Sequence, residues 1–150
     1  MGKVTYPDPR VANFISENMI PIQVLYDVQP LATDFNVKWT PTIITLDANG
    51  KEHHRTVGFL PPEELIPALL LGIGKSYFEN EQFDQAISSF DKLLKDYPKS
   101  DAAPEAVYVR GVSRYKSTHD AKPLKEAYER LQARYPQSEW TKRAYPYRLL

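Results

Sequence analysis

The segment Leu93-Leu94-Lys95-Asp96-Tyr97-Pro98-Lys99-Ser100-Asp101 returns 38 residues later as Leu131-Gln132-Ala133-Arg134-Tyr135-Pro136-Gln137-Ser138-Glu139. Leu, Tyr-Pro and Ser recur in the same order. A return at fixed period constrains a chain strongly, because each copy is one supersecondary unit that buries its apolar face only by stacking on the next. Proline lacks the amide that a continuing helix needs, so Tyr-Pro closes one helix. Ser followed by an acid suits the start of another. Each copy therefore reads as a helical hairpin with a Ser cap after it.

The first sixty residues have a different rhythm. Pro9 fits a first helical turn, and Val11, Phe14, Ile15 and Asn18 follow at helical spacing as far as Met19. Ile20-Pro21-Ile22-Gln23-Val24-Leu25-Tyr26 alternates Ile22, Val24 and Tyr26 and reads as a strand. A short helix is expected over about Pro30 to Phe35. Thr42 to Leu46 reads as a second strand, and Asp47-Ala48-Asn49-Gly50 supplies turn chemistry for an antiparallel return from Lys51 to Gly58. Proline and two acids in Leu60-Pro61-Pro62-Glu63-Glu64-Leu65 mark a helix start. Everything after Pro62 reads as helix after helix, so the boundary falls near residue 62.

Composition narrows the chemistry. None of the 150 residues is cysteine, which removes disulfides, thiolate metal sites, a Cys nucleophile and dithiol redox chemistry. Nineteen basic residues balance nineteen acidic ones, so the chain lacks the positive field expected of a nucleic-acid-binding domain. From Asp101 onward ten basic residues face six acidic ones, a surplus too small to change that. No apolar run reaches the roughly 20 residues that span a bilayer, and the N-terminus lacks the layout of a signal peptide. A cytoplasmic protein without membrane or nucleic-acid partners is the expectation, a leader removed upstream being compatible with it.

The hairpin from Leu70 to Pro98 resembles a tetratricopeptide repeat. Leu70, Ile73, Gly74, Tyr77, Ala86, Phe90, Leu93 and Pro98 occupy that family's slots without a gap, Leu93 standing where the family usually has a small residue. Gly74 and Ala86 would be small where the two helices cross, with Tyr77 and Phe90 filling the space beside them. In the next unit Gly111, Leu124, Tyr128, Leu131 and Pro136 correspond if the turn near Ser117 to Pro123 carries extra residues. Trp140 to Leu150 would begin a further helix capping the stack. An array of about two and a half units is expected to lean on the N-terminal part, because solenoids usually need about three.

That N-terminal part, from residue 4 to about 72, resembles the C-terminal two-thirds of a thioredoxin-fold domain. The residues that carry the resemblance are Leu31-Ala32, Phe35-Asn36-Val37, Thr40-Pro41-Thr42, Leu46, Gly50 and Val57-Gly58. The resemblance implies a cis Pro41 followed by a buried strand, a glycine turn and a strand ending in Val-Gly. The family's Cys-x-x-Cys and the strand before it have no counterpart in this chain. In the family that strand lies between the ones matching Ile20 to Tyr26 and Thr42 to Leu46. Its loss leaves either two strands closing up or an edge open to another chain.

The candidate sites follow. Trp39, Thr40 and Pro41 form the loop that, in thioredoxin relatives, pairs with a bound peptide by strand addition, so a docking edge without a redox centre is one reading and a purely structural proline the other. Carrying over the concave face of tetratricopeptide arrays places Leu71, Lys75 and Phe78 from the first unit, and Tyr108, Val112, Tyr115 and Lys116 from the second, on a peptide groove. The other reading packs Phe78, Tyr108 and Tyr115 against neighbouring helices. His53-His54 cannot chelate one ion from regular strand geometry, since adjacent residues face opposite ways, and a solvated strand is expected there. Gly72-Ile73-Gly74-Lys75-Ser76 lacks the upstream glycine of a phosphate loop, the position holding Leu69. Glu63-Glu64 belongs to a helix start, Glu79 and Glu81 to a solvated turn. No catalytic constellation, metal site or cofactor is expected.

The resulting expectation is a truncated thioredoxin-like unit of α+β or α/β class over residues 1–62, its last helix continuing to about 72, followed by all-α tetratricopeptide-like hairpins over 63–150. The expected function is non-catalytic binding of a protein or peptide. A second copy of the chain at the open sheet edge is a further expected partner. The other reading from sequence is a fragment or degenerate relative of a thiol–disulfide oxidoreductase whose cysteines lie upstream or have been lost.

Overall fold

The computed structural model describes residues 1–150. The elements run α1 (Pro9–Asn18), α2 (Leu31–Asp34), β1 (Thr42–Leu46), β2 (Glu52–Val57), α3 (Pro62–Glu79), α4 (Phe83–Asp96), α5 (Ala103–Thr118), α6 (Lys122–Arg134) and α7 (Glu139–Ala144), with a 3-10 turn at Tyr145–Leu149. Asp8 caps α1, its carboxylate accepting from the Arg10 amide at 2.9 Å. The sheet has two antiparallel strands only. The Asp47 carboxylate accepts from the amides of Asn49 and Lys51 in the turn between them, and Gly50 takes the positive φ of 79° that the reversal requires.

The segment Ile20–Tyr26 forms no strand. Ile20 is 90% exposed and Ile22 81%, and neither edge of the sheet carries this segment. Alternation supplies only a propensity. A strand needs a ladder partner for its amides and carbonyls, and this segment has none beside it.

The two strands pair in register from Thr42 opposite Val57 to Thr45 opposite His54, and then slip so that Leu46 faces Glu52. His53 is the extra residue at this bulge. The peptide bonds Gln29–Pro30 and Thr40–Pro41 are both cis.

Helix α3 is the axis of the molecule. It is apolar nearly all round, with Leu65, Ile66, Leu69, Leu70 and Leu71 each at most 5% exposed, because α1, the hairpin and α4 all pack on it. Gly72 lies against β1: a Cβ there would stand 2.5 Å from Thr45 Oγ1 and 2.9 Å from Thr45 Cβ. Two residues on, Gly74 lies under the Phe90 ring of α4, so Gly74 and Phe90 meet at the helix crossing, beside the fully buried Ala86 and Leu93. One apolar cluster then runs from Val11 and Phe14 through α3 and α4 to Val107, Leu131 and Ala144.

In the second hairpin the close approach differs from the sequence spacing. Gly111 faces Ala127 and the Pro123 carbonyl, while Leu124 packs elsewhere in the core. The caps also differ between copies. Ser138 accepts from the Trp140 amide and caps α7, whereas Ser100 is buried with its hydroxyl unpartnered, and α5 starts behind Ala102. Tyr135 ties the copies together by donating its hydroxyl to the Pro98 carbonyl.

Candidate peptide-binding site

The outer edge of β1 has no strand beside it. The loop entering that edge is held from within. Thr42 Oγ1 donates to the Trp39 carbonyl at 2.6 Å, the Gly58 amide donates to the Pro41 carbonyl at 2.8 Å, and Arg55 donates to the Phe35 carbonyl while paired with Glu52. These bonds leave the Trp39 side chain 69% exposed. Trp39 lines a cavity of about 240 Å³ with Tyr26, Val37, Lys38 and Thr40. Pro41 is half-buried beside it. An exposed tryptophan and tyrosine flanking an unpaired strand present apolar area and free backbone groups together, the two components that strand addition uses. Tyr26 belongs to this pocket because the segment Ile20–Tyr26 is not a strand. Nothing local in the sequence signals that.

The groove residues named from the array are distributed differently. Leu71 is buried, 2% exposed, because α3 turns that side toward its neighbours in the core. Lys75 Nζ donates to Glu105 Oε1 of α5 at 2.9 Å and lies 3.4 Å from His54 Nδ1 of β2. Burial first, and then the Lys75 ammonium, hold the His54 pKa below its usual value, so the ring is neutral and can accept. Phe78 packs on Phe83, ring centres 6.0 Å apart. Tyr108 lies between Trp140 and Tyr147, at 5.2 and 5.8 Å, and shares a 3.0 Å hydroxyl contact with Tyr147. Val112 is half-buried, and only Tyr115 and Lys116 are exposed. The inner face of the array is thus largely spent on the hairpin and the C-terminal turn.

A two-stranded antiparallel hairpin lying on a helix whose far half crosses a second helix at a Gly–Phe contact fits the comparisons with known families. Residues 3–72 match the model of a thioredoxin-like domain, and residues 68–100 match that of a tetratricopeptide repeat. The chain carries both. The two matches overlap at residues 68–72, inside α3, where Gly72 meets the hairpin just before Gly74 meets Phe90. No curated protein matches the chain. No helix is long and apolar enough to cross a membrane.

The thioredoxin-like hairpin is fastened to the tetratricopeptide helix by a cluster that the sequence reading placed in solvent. His53 is 5% exposed, with Nε2 at 2.8 Å from Asp47 Oδ2 and Nδ1 at 2.9 Å from Glu79 Oε2. Glu79, expected on a solvated turn, also meets Lys51 at 3.3 Å. The imidazole thus bridges the two carboxylates, one at each ring nitrogen. The bulge explains the reversal: the extra residue breaks the strict alternation of faces and turns His53 inward. The signal available in the sequence was weak, an Asp six residues before a His.

The His53 hydrogen bond, aided by the Lys51 and Asn49 amides, lowers the Asp47 pKa from 3.8 to about 2. A carboxyl depressed in the folded state adds stability above its unfolded value, and that stability is lost as pH falls through the folded one. The wild-type urea midpoint should therefore drop between about pH 4 and pH 2 by more than that of Asp47→Asn, which lacks the titrating group. Equal drops in the two proteins, followed by tryptophan fluorescence, would contradict this role.

Proposed function

We propose that the chain is a non-catalytic protein-interaction module that receives an extended peptide along the free edge of β1, with an apolar side chain of the peptide seated between Trp39 and Tyr26. The observation that carries this reading is the unpaired β1 edge beside the exposed Trp39 cavity. Main-chain pairing would supply affinity, and the cavity would select the side chain. Tyr115 and Lys116 offer a smaller second contact on α5.

The test uses a partner captured by the full chain, identified, and then purified. Trp39→Ala with Tyr26→Ala should weaken its binding about tenfold or more, since exposed aromatics that become buried are the usual anchors of an interface. Unchanged affinity would sink the edge reading. Loss through Tyr115→Ala with Lys116→Ala instead would transfer the site to the helices. Sedimentation over a wide concentration range identifies a second copy of the chain as the occupant if the dimer also requires Trp39.

A further inference from the structure

A second site lies between α5 and α6, away from the β1 edge. Arg110 and Arg114, one turn apart on α5, line a cavity of about 150 Å³ with Glu126 and Arg130 of α6, over the Gly111–Ala127 approach. Gly111 lets the helices come close, and the long side chains stand up around the crossing. Arg110 pairs with Asp91 of α4, and Arg114 Nη1 donates to Glu126 Oε2 at 2.9 Å. Arg130 has neither an ion pair nor a side-chain hydrogen bond, although it is half-buried. Its burial, then Arg110 nearby, make its charge costly enough to lower its pKa, with Arg134 adding to the repulsion. Arg110 and Arg114 already hold the carboxylates of Asp91 and Glu126, which leaves Arg130 a donor fork without an acceptor of its own.

We infer that this cleft binds a carboxylate side chain of an acidic protein segment, with Arg130 as the receiving fork and Arg114 joining it when Glu126 is displaced. The geometry favours a carboxylate because the cleft already holds one in that manner, Glu126 on Arg114. The site stands apart from the β1 edge and does not depend on the reading of that edge.

The experiment follows amide resonances of the isotope-labelled full chain during titration with a Glu-rich decapeptide, with a Gln-rich decapeptide of equal length, and with inorganic phosphate. The Glu peptide should shift Gly111, Ala127 and Arg130, and its affinity should fall as salt rises. Arg130→Ala should weaken it about tenfold, as expected for one charge-assisted pair, with Arg130→Lys intermediate because the charge remains and the fork is lost. Glu126→Gln should tighten binding severalfold by freeing Arg114. Absence of shifts at millimolar Glu peptide, equal binding of the Gln peptide, full affinity in Arg130→Ala, or phosphate binding at lower concentration than the peptide would each overturn the inference. Arg130 and Glu126 lie outside the buried apolar cluster, so both variants retain the fold on which the measurement depends.

Discussion

Phe90→Ala should destabilise the protein by about 3–5 kcal/mol, the usual cost of emptying a fully buried aromatic site. Phe90 is 0% exposed, and its ring covers Gly74 where α3 and α4 cross. That loss is a large share of the roughly 5–15 kcal/mol that holds a domain folded. The partner residue supplies a sharper form of the same test. Gly74→Ala alone puts a Cβ into the ring and should cost about 1–3 kcal/mol by overpacking. In the Phe90→Ala background the ring is gone, and the same change should become neutral or stabilising by up to about 1 kcal/mol, the helix preference for Ala over Gly. Urea unfolding of the four proteins gives the coupling energy directly. Additive costs would mean that Gly74 and Phe90 do not share the space attributed to them.

What was legible in the sequence follows from the range of the physics involved. The Gly74, Ala86 and Phe90 crossing could be read because helical spacing and side-chain size are local properties, and the two helices are joined by a short turn. The β1–β2 hairpin could be read for the same reason, through Asp47 and Gly50. The absence of a strand at Ile20–Tyr26 is not legible, because a strand depends on what lies beside it and alternation does not report a missing neighbour. The burial of His53 is not legible either, because a bulge belongs to a pair of strands, not to either one. The array pattern places Leu71 on a groove because it treats α3 as a repeat helix, although the same helix also carries the thioredoxin-like hairpin. Ser100 and Ser138 look alike in sequence, yet only Ser138 caps a helix, since the start of α5 three residues after Ser100 is set by packing of Ala103 and Ala106. The candidate edge site was legible at Trp39, Thr40 and Pro41 and not at Tyr26.

Gly72→Val should loosen the hairpin while leaving the helical array intact. The new Cβ would meet Thr45 at its Oγ1 and Cβ, and the Cβ is bonded to the β1 backbone and cannot swing aside as the end of a long side chain would. Either β1 lifts from α3 or the helix shifts, and the hairpin is the weaker of the two, with only two strands and the edge of β1 unpaired. A cost of about 1–3 kcal/mol is expected. Amides of β1 and β2 should then exchange with deuterium about 10- to 100-fold faster, while those of α5 and α6 keep their protection. Uniformly faster exchange in all elements would show instead that hairpin and array unfold as one cooperative unit through the shared α3. The first outcome carries a functional consequence. Because the proposed peptide edge is β1 itself, Gly72→Val should also weaken a partner bound there without touching Trp39, and should leave the Arg130 cleft unaffected.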